Sequence, residues 1–277
     1  MALPTPLVTV DWLINHRQDS DVVVLDCRFA LADPTQGQRA YEQGHIPGAY
    51  HLDLNRDLSS PVQTHGGRHP LPDIETLAAK LGHCGIESQK STPVVIYDDF
   101  RGAFAARCWW LLRYYGHESV AVLEGGISAW TQAGQPLSAE VPKAKTATFS
   151  PQLQAGWILD YEQIREQQAK GQGLLVDARS PERFRGEQEP IDPIAGSIPG
   201  AVNYFWQNLV DEQGQFLPVA ALQSYWSAIP ADKEPVMYCG SGVTACVNLL
   251  SRAAAGYAMA PLYVGGWSDW CSYLTEA

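Results

Sequence analysis

The chain has 277 residues, enough for two domains that each bury a core, and its 45% hydrophobic and 18% charged content is that of a globular protein in water. A formal net charge of −11 sets nucleic acid aside as a partner, because phosphate binding draws on clustered Lys and Arg. No apolar run approaches the roughly 18 residues of a membrane span, which sets membrane insertion aside as well.

The first residues, Met1-Ala2-Leu3-Pro4-Thr5-Pro6, lack the basic flank and apolar run of a signal peptide, so a cytoplasmic location is expected. Val22 to Leu25 reads as a buried strand and runs into Asp26-Cys27-Arg28. After Gly44-His45-Ile46-Pro47-Gly48-Ala49, a second buried strand is expected over Val94 to Tyr97 and a helix over Ala103 to Tyr115. Val120 to Leu123 then leads into a turn at Gly125-Gly126. From Ser138 to Gly156, Pro, Lys, Thr and Gln replace the apolar periodicity, as in a linker crossing the surface.

Beyond the linker the same blocks return in the same order. Leu174-Leu175-Val176-Asp177-Ala178-Arg179 repeats the first strand, and Gly196-Ser197-Ile198-Pro199-Gly200-Ala201 repeats the Ile-Pro-Gly-Ala block. Pro235 to Tyr238 repeats the second strand, a helix is expected over Val243 to Ala255, and Leu262 to Val264 leads into Gly265-Gly266. Four blocks at a nearly constant offset mean two copies of one domain. The boundaries are placed at 1–137, 138–156 for the linker, and 157–277. Strands alternating with helices make each copy an α/β domain built on a parallel sheet flanked by helices. The six cysteines, at 27, 84, 108, 239, 246 and 271, form no C-x-x-C pair and are expected as reduced thiols.

One of them sits where chemistry is expected. Tyr238-Cys239-Gly240-Ser241-Gly242-Val243-Thr244-Ala245 joins a strand end to a helix start, the place where open parallel sheets bind ligands. The two glycines let the N–H groups of Gly240, Ser241, Gly242, Val243 and Thr244 turn inward as a nest. Such a nest at a helix N-terminus favours an anion, either the Cys239 thiolate or a persulfide built on it. Core packing alone gives no reason for Gly-Ser-Gly to follow a cysteine. A dinucleotide fingerprint needs an acidic residue about 20 positions on, and Met259-Ala260-Pro261-Leu262 supplies none. A cysteine phosphatase loop runs C-x5-R, whereas Ala245 and Cys246 stand where the arginine would be.

Cys239 to Ala245, Asp177-Ala178-Arg179 and the two Ile-Pro-Gly-Ala blocks together resemble the tandem-domain rhodanese family. The loop is similar to that of its 3-mercaptopyruvate sulfurtransferases. The resemblance implies two rhodanese folds with only the C-terminal copy catalytic, and no cofactor or metal. It implies a double displacement in which Cys239 takes sulfane sulfur from 3-mercaptopyruvate or thiosulfate and yields it to a thiol, cyanide or a reduced thiol protein. It also implies a donor-binding role for Arg183 and hydroxyl contacts from Ser241 and Thr244, with His69 contributed to the site from the first half of the chain. The N-terminal copy has Asp98-Asp99 where the second has Cys239, and a carboxylate cannot carry sulfane sulfur. The donor stays open. The mercaptopyruvate pattern has a second arginine after Glu-Pro, where this chain has Ile191 after Glu189-Pro190; the thiosulfate pattern has basic residues inside the loop, where this chain has Gly240 and Ser241. A relay module that receives persulfide from a partner protein is the alternative to a freestanding enzyme.

Overall fold

In the computed structural model, which describes residues 3, 6–17, 19, 21–88 and 92–274, the short β-branched runs form strands buried on both faces. The described residues fall into two compact units. One takes in those within 1–60, 72–154 and 211–215, the other those within 61–71, 155–210 and 216–277.

The first unit runs β1 (Leu7–Val8), α1 (Val10–His16), β2 (Val23–Asp26), α2 (Gln36–Gln43), β3 (Tyr50–His51), α3 (Ile74–His83), β4 (Val94–Tyr97), α4 (Ala103–Tyr114), β5 (Val120–Leu123) and α5 (Gly126–Gln132). Its sheet has the order β1-β5-β4-β2-β3, and every pairing is parallel. The helices start where the sequence offers caps: Thr9 Oγ1 accepts from the Trp12 N–H, and Asp73 does the same for Thr76. Val24, Val95, Tyr97, Leu123 and Trp130 meet in one buried core.

The second unit repeats this plan. It runs β6 (Ile158–Leu159), α6 (Tyr161–Ala169), β7 (Leu174–Asp177), α7 (Pro181–Phe184), β8 (Val202–Asn203), α8 (Val219–Trp226), β9 (Pro235–Tyr238), α9 (Ala245–Ala254), β10 (Leu262–Tyr263) and α10 (Gly266–Leu274). The sheet order β6-β10-β9-β7-β8 matches that of the first unit strand for strand, again all parallel. Asp160 and Gln163 form a reciprocal capping box at the start of α6. Val236, Tyr238, Tyr263, Trp267 and Trp270 form its core. No helix among the described residues is long and apolar enough to cross a membrane.

The repeated blocks have a physical reason, since they build the same buried network in each unit. Arg28 grips Asp26 through Nε and Nη2 and donates onward to the Gly44 carbonyl, while the Tyr97 hydroxyl donates to Asp26 and accepts from the Ile46 N–H. In the second unit Arg179 grips Asp177 and donates to the Gly196 carbonyl, and the Tyr238 hydroxyl accepts from the Ile198 N–H. Asp-x-Arg, Ile-Pro-Gly-Ala and the strand-end tyrosine are therefore one structural clasp, which ties the loop after the first block to the central strand.

Candidate active site

Cys239 follows the last residue of β9 and is buried. Its carbonyl accepts from the Trp267 N–H at 2.8 Å, and the Gly240 carbonyl accepts from Ser268 at 2.8 Å, so α10 fixes the entry to the loop. Two glycines are needed for this approach. Gly242 has φ +70°, and a Cβ there would lie 2.3 Å from the Val264 carbonyl oxygen; Gly266 has φ +59°, and its Cβ would lie 2.4 Å from the Cys239 carbonyl oxygen. The helix α9 begins at Ala245, two residues later than the sequence suggests, so Val243 and Thr244 belong to the turn. Val243 is buried, and Thr244 is the N-cap residue without a side-chain capping bond.

Ser241 is buried, and its Oγ lies 2.7 Å from His69 Nδ1. His69 arrives on the segment 61–71, which packs within this same unit. Three residues pin that segment to α10 and the turn before it. The Gly66 N–H donates to Asp269 Oδ1 at 2.6 Å, His65 bonds Ser272 Oγ and stacks on Tyr273, and Gly67 lies against Gly265 so closely that a Cβ would meet its carbonyl oxygen at 2.4 Å.

Charged side chains gather beside the loop. Arg183 bonds Glu189 Oε1 at 2.8 Å and Asp192 Oδ2 at 3.1 Å, while Arg179 bonds both Asp177 and Glu189. Arg68, the residue before His69, pairs with Asp192 Oδ1. Burial pulls the Arg68 guanidinium down from its usual value, with the neighbouring Cys239 sulfur opposing this and the Arg183 charge adding to it. Burial works against the charge on Arg179 too, yet the Asp177 carboxylate pushes its pKa up overall. Arg185 pairs with Glu187 at the surface, away from this cluster. Of the residues expected from sequence, Cys239, Gly240, Ser241, Arg183 and His69 come together. Sequence reading missed Arg68, Glu189 and Asp192, whose contacts join positions far apart in the chain or folded back within one turn.

The family model for the Rhodanese-like domain matches residues 9–133 and again 160–273. The chain belongs to the rhodanese family. A Pseudomonas aeruginosa protein named "Probable 3-mercaptopyruvate sulfurtransferase" is 45% identical over 270 residues, covering 95% of this chain and 94% of that one. A Mycobacterium tuberculosis protein named for thiosulfate sulfurtransfer is 39% identical over 277 residues, covering 96% and 94%. The solved structure of 3-mercaptopyruvate sulfurtransferase from Leishmania major superposes with a TM-score of 0.86 at 27% identity, covering 99% of this chain and 76% of that one.

The two copies of this rhodanese treat the same loop differently. Gly102 and Gly242 hold equivalent left-handed positions, at φ +81° and +70°. In the first unit the Asp98 carboxylate turns inward and accepts four backbone N–H groups, from Phe100, Gly102, Phe104 and Ala105, at 2.8–2.9 Å. Burial pushes the Asp98 carboxyl up, and those four donors pull it back. The first copy thus fills its anion nest with its own side chain. At the equivalent place, directly after the strand-end tyrosine, the second copy has Cys239 in place of a carboxylate. Two of the other thiols are held up by their surroundings: burial and the adjacent Cys108 push Cys27 well up, and burial pushes Cys84 up to about 12. Among the described residues no three His, Cys, Asp or Glu side chains converge as a metal site.

Proposed function

We propose that this rhodanese is a sulfurtransferase working by double displacement through a persulfide on Cys239. The observation that carries the reading is the cysteine at the end of β9, in a glycine-rich turn against two guanidinium groups. With 3-mercaptopyruvate, the Cys239 thiolate attacks the thiol sulfur and the carbon–sulfur bond breaks. Its electron pair leaves on carbon as the pyruvate enolate, which takes up the former thiol proton to give pyruvate, leaving Cys239–S–S⁻. With thiosulfate, the same attack expels sulfite and no proton moves. A thiol or cyanide then takes the outer sulfur and restores the thiolate; a reduced thiol protein is a further acceptor.

In this reading the N–H groups of Gly240, Gly242 and Val243, with the Ser241 and Thr244 hydroxyls, hold the sulfur or the donor. Arg183 takes the donor's anionic end, and the Ser241–His69 pair moves the proton that the mercaptopyruvate reaction requires. The catalytic domain is 157–277, completed by His69. The domain 1–137 carries no sulfur, because its nest is closed by Asp98. The thiol chemistry suits a reducing compartment, and the cytoplasm is the location we assign. Steady-state kinetics with 3-mercaptopyruvate and with thiosulfate, cyanide as acceptor, test the reading. Turnover that disappears in Cys239→Ser supports it. A protein that turns over neither donor yet accepts sulfur from a persulfidated partner would be a relay instead.

A further inference from the structure

We propose that Arg68 is the second donor-binding cation of this site, taking the place of the guanidinium absent at position 191, and that Asp192 holds it there. The proposal rests on the sulfurtransferase reading for the identity of the donor, but the anion site itself is argued from geometry alone. A Cβ built on Gly240, the residue after the nucleophile, would lie 2.8 Å from Arg68 Nη2 and 3.5 Å from Arg183 Nη2. Two guanidinium groups therefore converge on the backbone beside Cys239. Ile191 is 47% exposed, and its N–H is turned back to Glu189 Oε1.

Asp192 sets the geometry of the pair. One of its oxygens takes Arg68 and the other takes Arg183, and its own N–H donates to Glu189 Oε1 at 3.1 Å. Its side chain is 1% exposed and that of Glu189 is 3% exposed, whereas Arg68 keeps 28% and Arg183 18%. The carboxylates thus lie at the back and the cations at the front, where a small anion can reach them. Around the loop three arginines (68, 179, 183) face three carboxylates (177, 189, 192), so the cluster is balanced before a donor arrives. What it offers an anion is the remaining fork edges of Arg68 and Arg183, held by fixed partners. The Arg68 backbone is held on both sides, by Gly67 wedged against Gly265 and by His69 bonded to Ser241, while Asp192 holds its guanidinium.

The ligand class follows from this chemistry: a small anion whose oxygens span two converging guanidinium groups while its sulfur lies at Cys239. Alkylation of Cys239 by iodoacetate and by iodoacetamide tests the proposal without any sulfur donor. The reagents differ in charge, and each loses iodide to the same thiolate. In wild type the ratio of iodoacetate to iodoacetamide rates should exceed that of a free cysteine thiolate. Arg68→Gln should lower this ratio about tenfold, the size expected for one charge-assisted contact in a partly desolvated site, and leave the iodoacetamide rate within about twofold. Arg68→Lys should keep most of the selectivity, and Arg68→Gln should raise KM for both sulfur donors more than it lowers kcat. An equal change in both alkylation rates would mean that Arg68 only shapes the loop, and an unchanged ratio would mean that it does not meet anions; either result overturns the proposal. If wild type turns over neither sulfur donor, the sulfurtransferase reading falls, while the alkylation ratio still decides whether Arg68 binds an anion.

Discussion

Replacing Asp98 by Ala should unfold the first unit far more easily while leaving the chemistry of the second untouched. The buried carboxylate accepts four backbone N–H groups, two of them buried (Phe104, Ala105) and two partly exposed (Phe100, Gly102), and alanine leaves all four without that acceptor. An unsatisfied buried donor costs about 1–3 kcal/mol, so the two buried donors lose about 2–6 kcal/mol together and the two partly exposed ones less. Entry of water into the turn and relief of the repulsion between Asp98 and Asp99 reduce this, and the expected net loss is about 3–5 kcal/mol. Urea unfolding followed by tryptophan fluorescence reads it, since Trp109, Trp110 and Trp130 are all buried in this unit. Below the transition, kcat at saturating donor should stay within about twofold of wild type. A loss of stability under about 0.5 kcal/mol would refute the idea that the carboxylate closes this nest, and a collapse of kcat in folded protein would refute the silence of the first copy.

Further outcomes are expected. His69→Asn should lower kcat with 3-mercaptopyruvate about 10- to 100-fold and barely affect thiosulfate, because only the first reaction moves a proton to carbon; equal losses with both donors would remove the relay role. Arg183→Ala should reduce kcat/KM about 10- to 150-fold with little change in the urea midpoint, since Asp192 keeps Arg68 and Glu189 keeps Arg179. Gly242→Ala should cost about 2–4 kcal/mol and abolish sulfur loading, because a side chain at φ +70° would strike the Val264 carbonyl; circular dichroism melts and mass spectrometry check the two halves. Burial holds the His117 imidazole below its usual range, with the Thr92 carbonyl opposing. A histidine depressed in the fold supports stability above its unfolded value of about 6.5 and loses that support as pH falls, so the first unit should weaken on acidification below about pH 6.5. His117→Gln should flatten that part of the profile of urea midpoint against pH.

Much of the fold was legible because its signals are local. The Asp-x-Arg, Ile-Pro-Gly-Ala and strand-end tyrosine blocks recur because Arg179, Gly196, Ile198 and Tyr238 make the same contacts as Arg28, Gly44, Ile46 and Tyr97, so repetition in sequence reports repetition of a buried network. Cys239 stood out because Gly-Ser-Gly follows it where a buried strand gives way to a helix. The start of α9 was misplaced by two residues because Val243 and Thr244 carry ordinary side chains, and what holds them in the turn is the left-handed Gly242 packed on Val264. Arg68 was not legible. Its place beside Gly240 depends on the segment 61–71 packing with residues more than 170 positions away, through the Gly67–Gly265 contact and the His69–Ser241 bond. Asp192 was hidden by what position 191 lacks: Glu-Pro-Ile-Asp reads as a missing arginine until the Glu189 side chain is seen folding the turn and aiming Asp192 at two cations.

In the proposed double displacement a single cysteine, Cys239, carries the sulfur. Intact-mass spectrometry of the full chain after incubation with 3-mercaptopyruvate or thiosulfate, followed by peptide mapping, tests it most directly. One added sulfur atom is expected on the peptide containing Cys239, removed by cyanide and absent in Cys239→Ser. Sulfur on Cys27, Cys108 or Cys246, or an adduct that survives in Cys239→Ser, would contradict it.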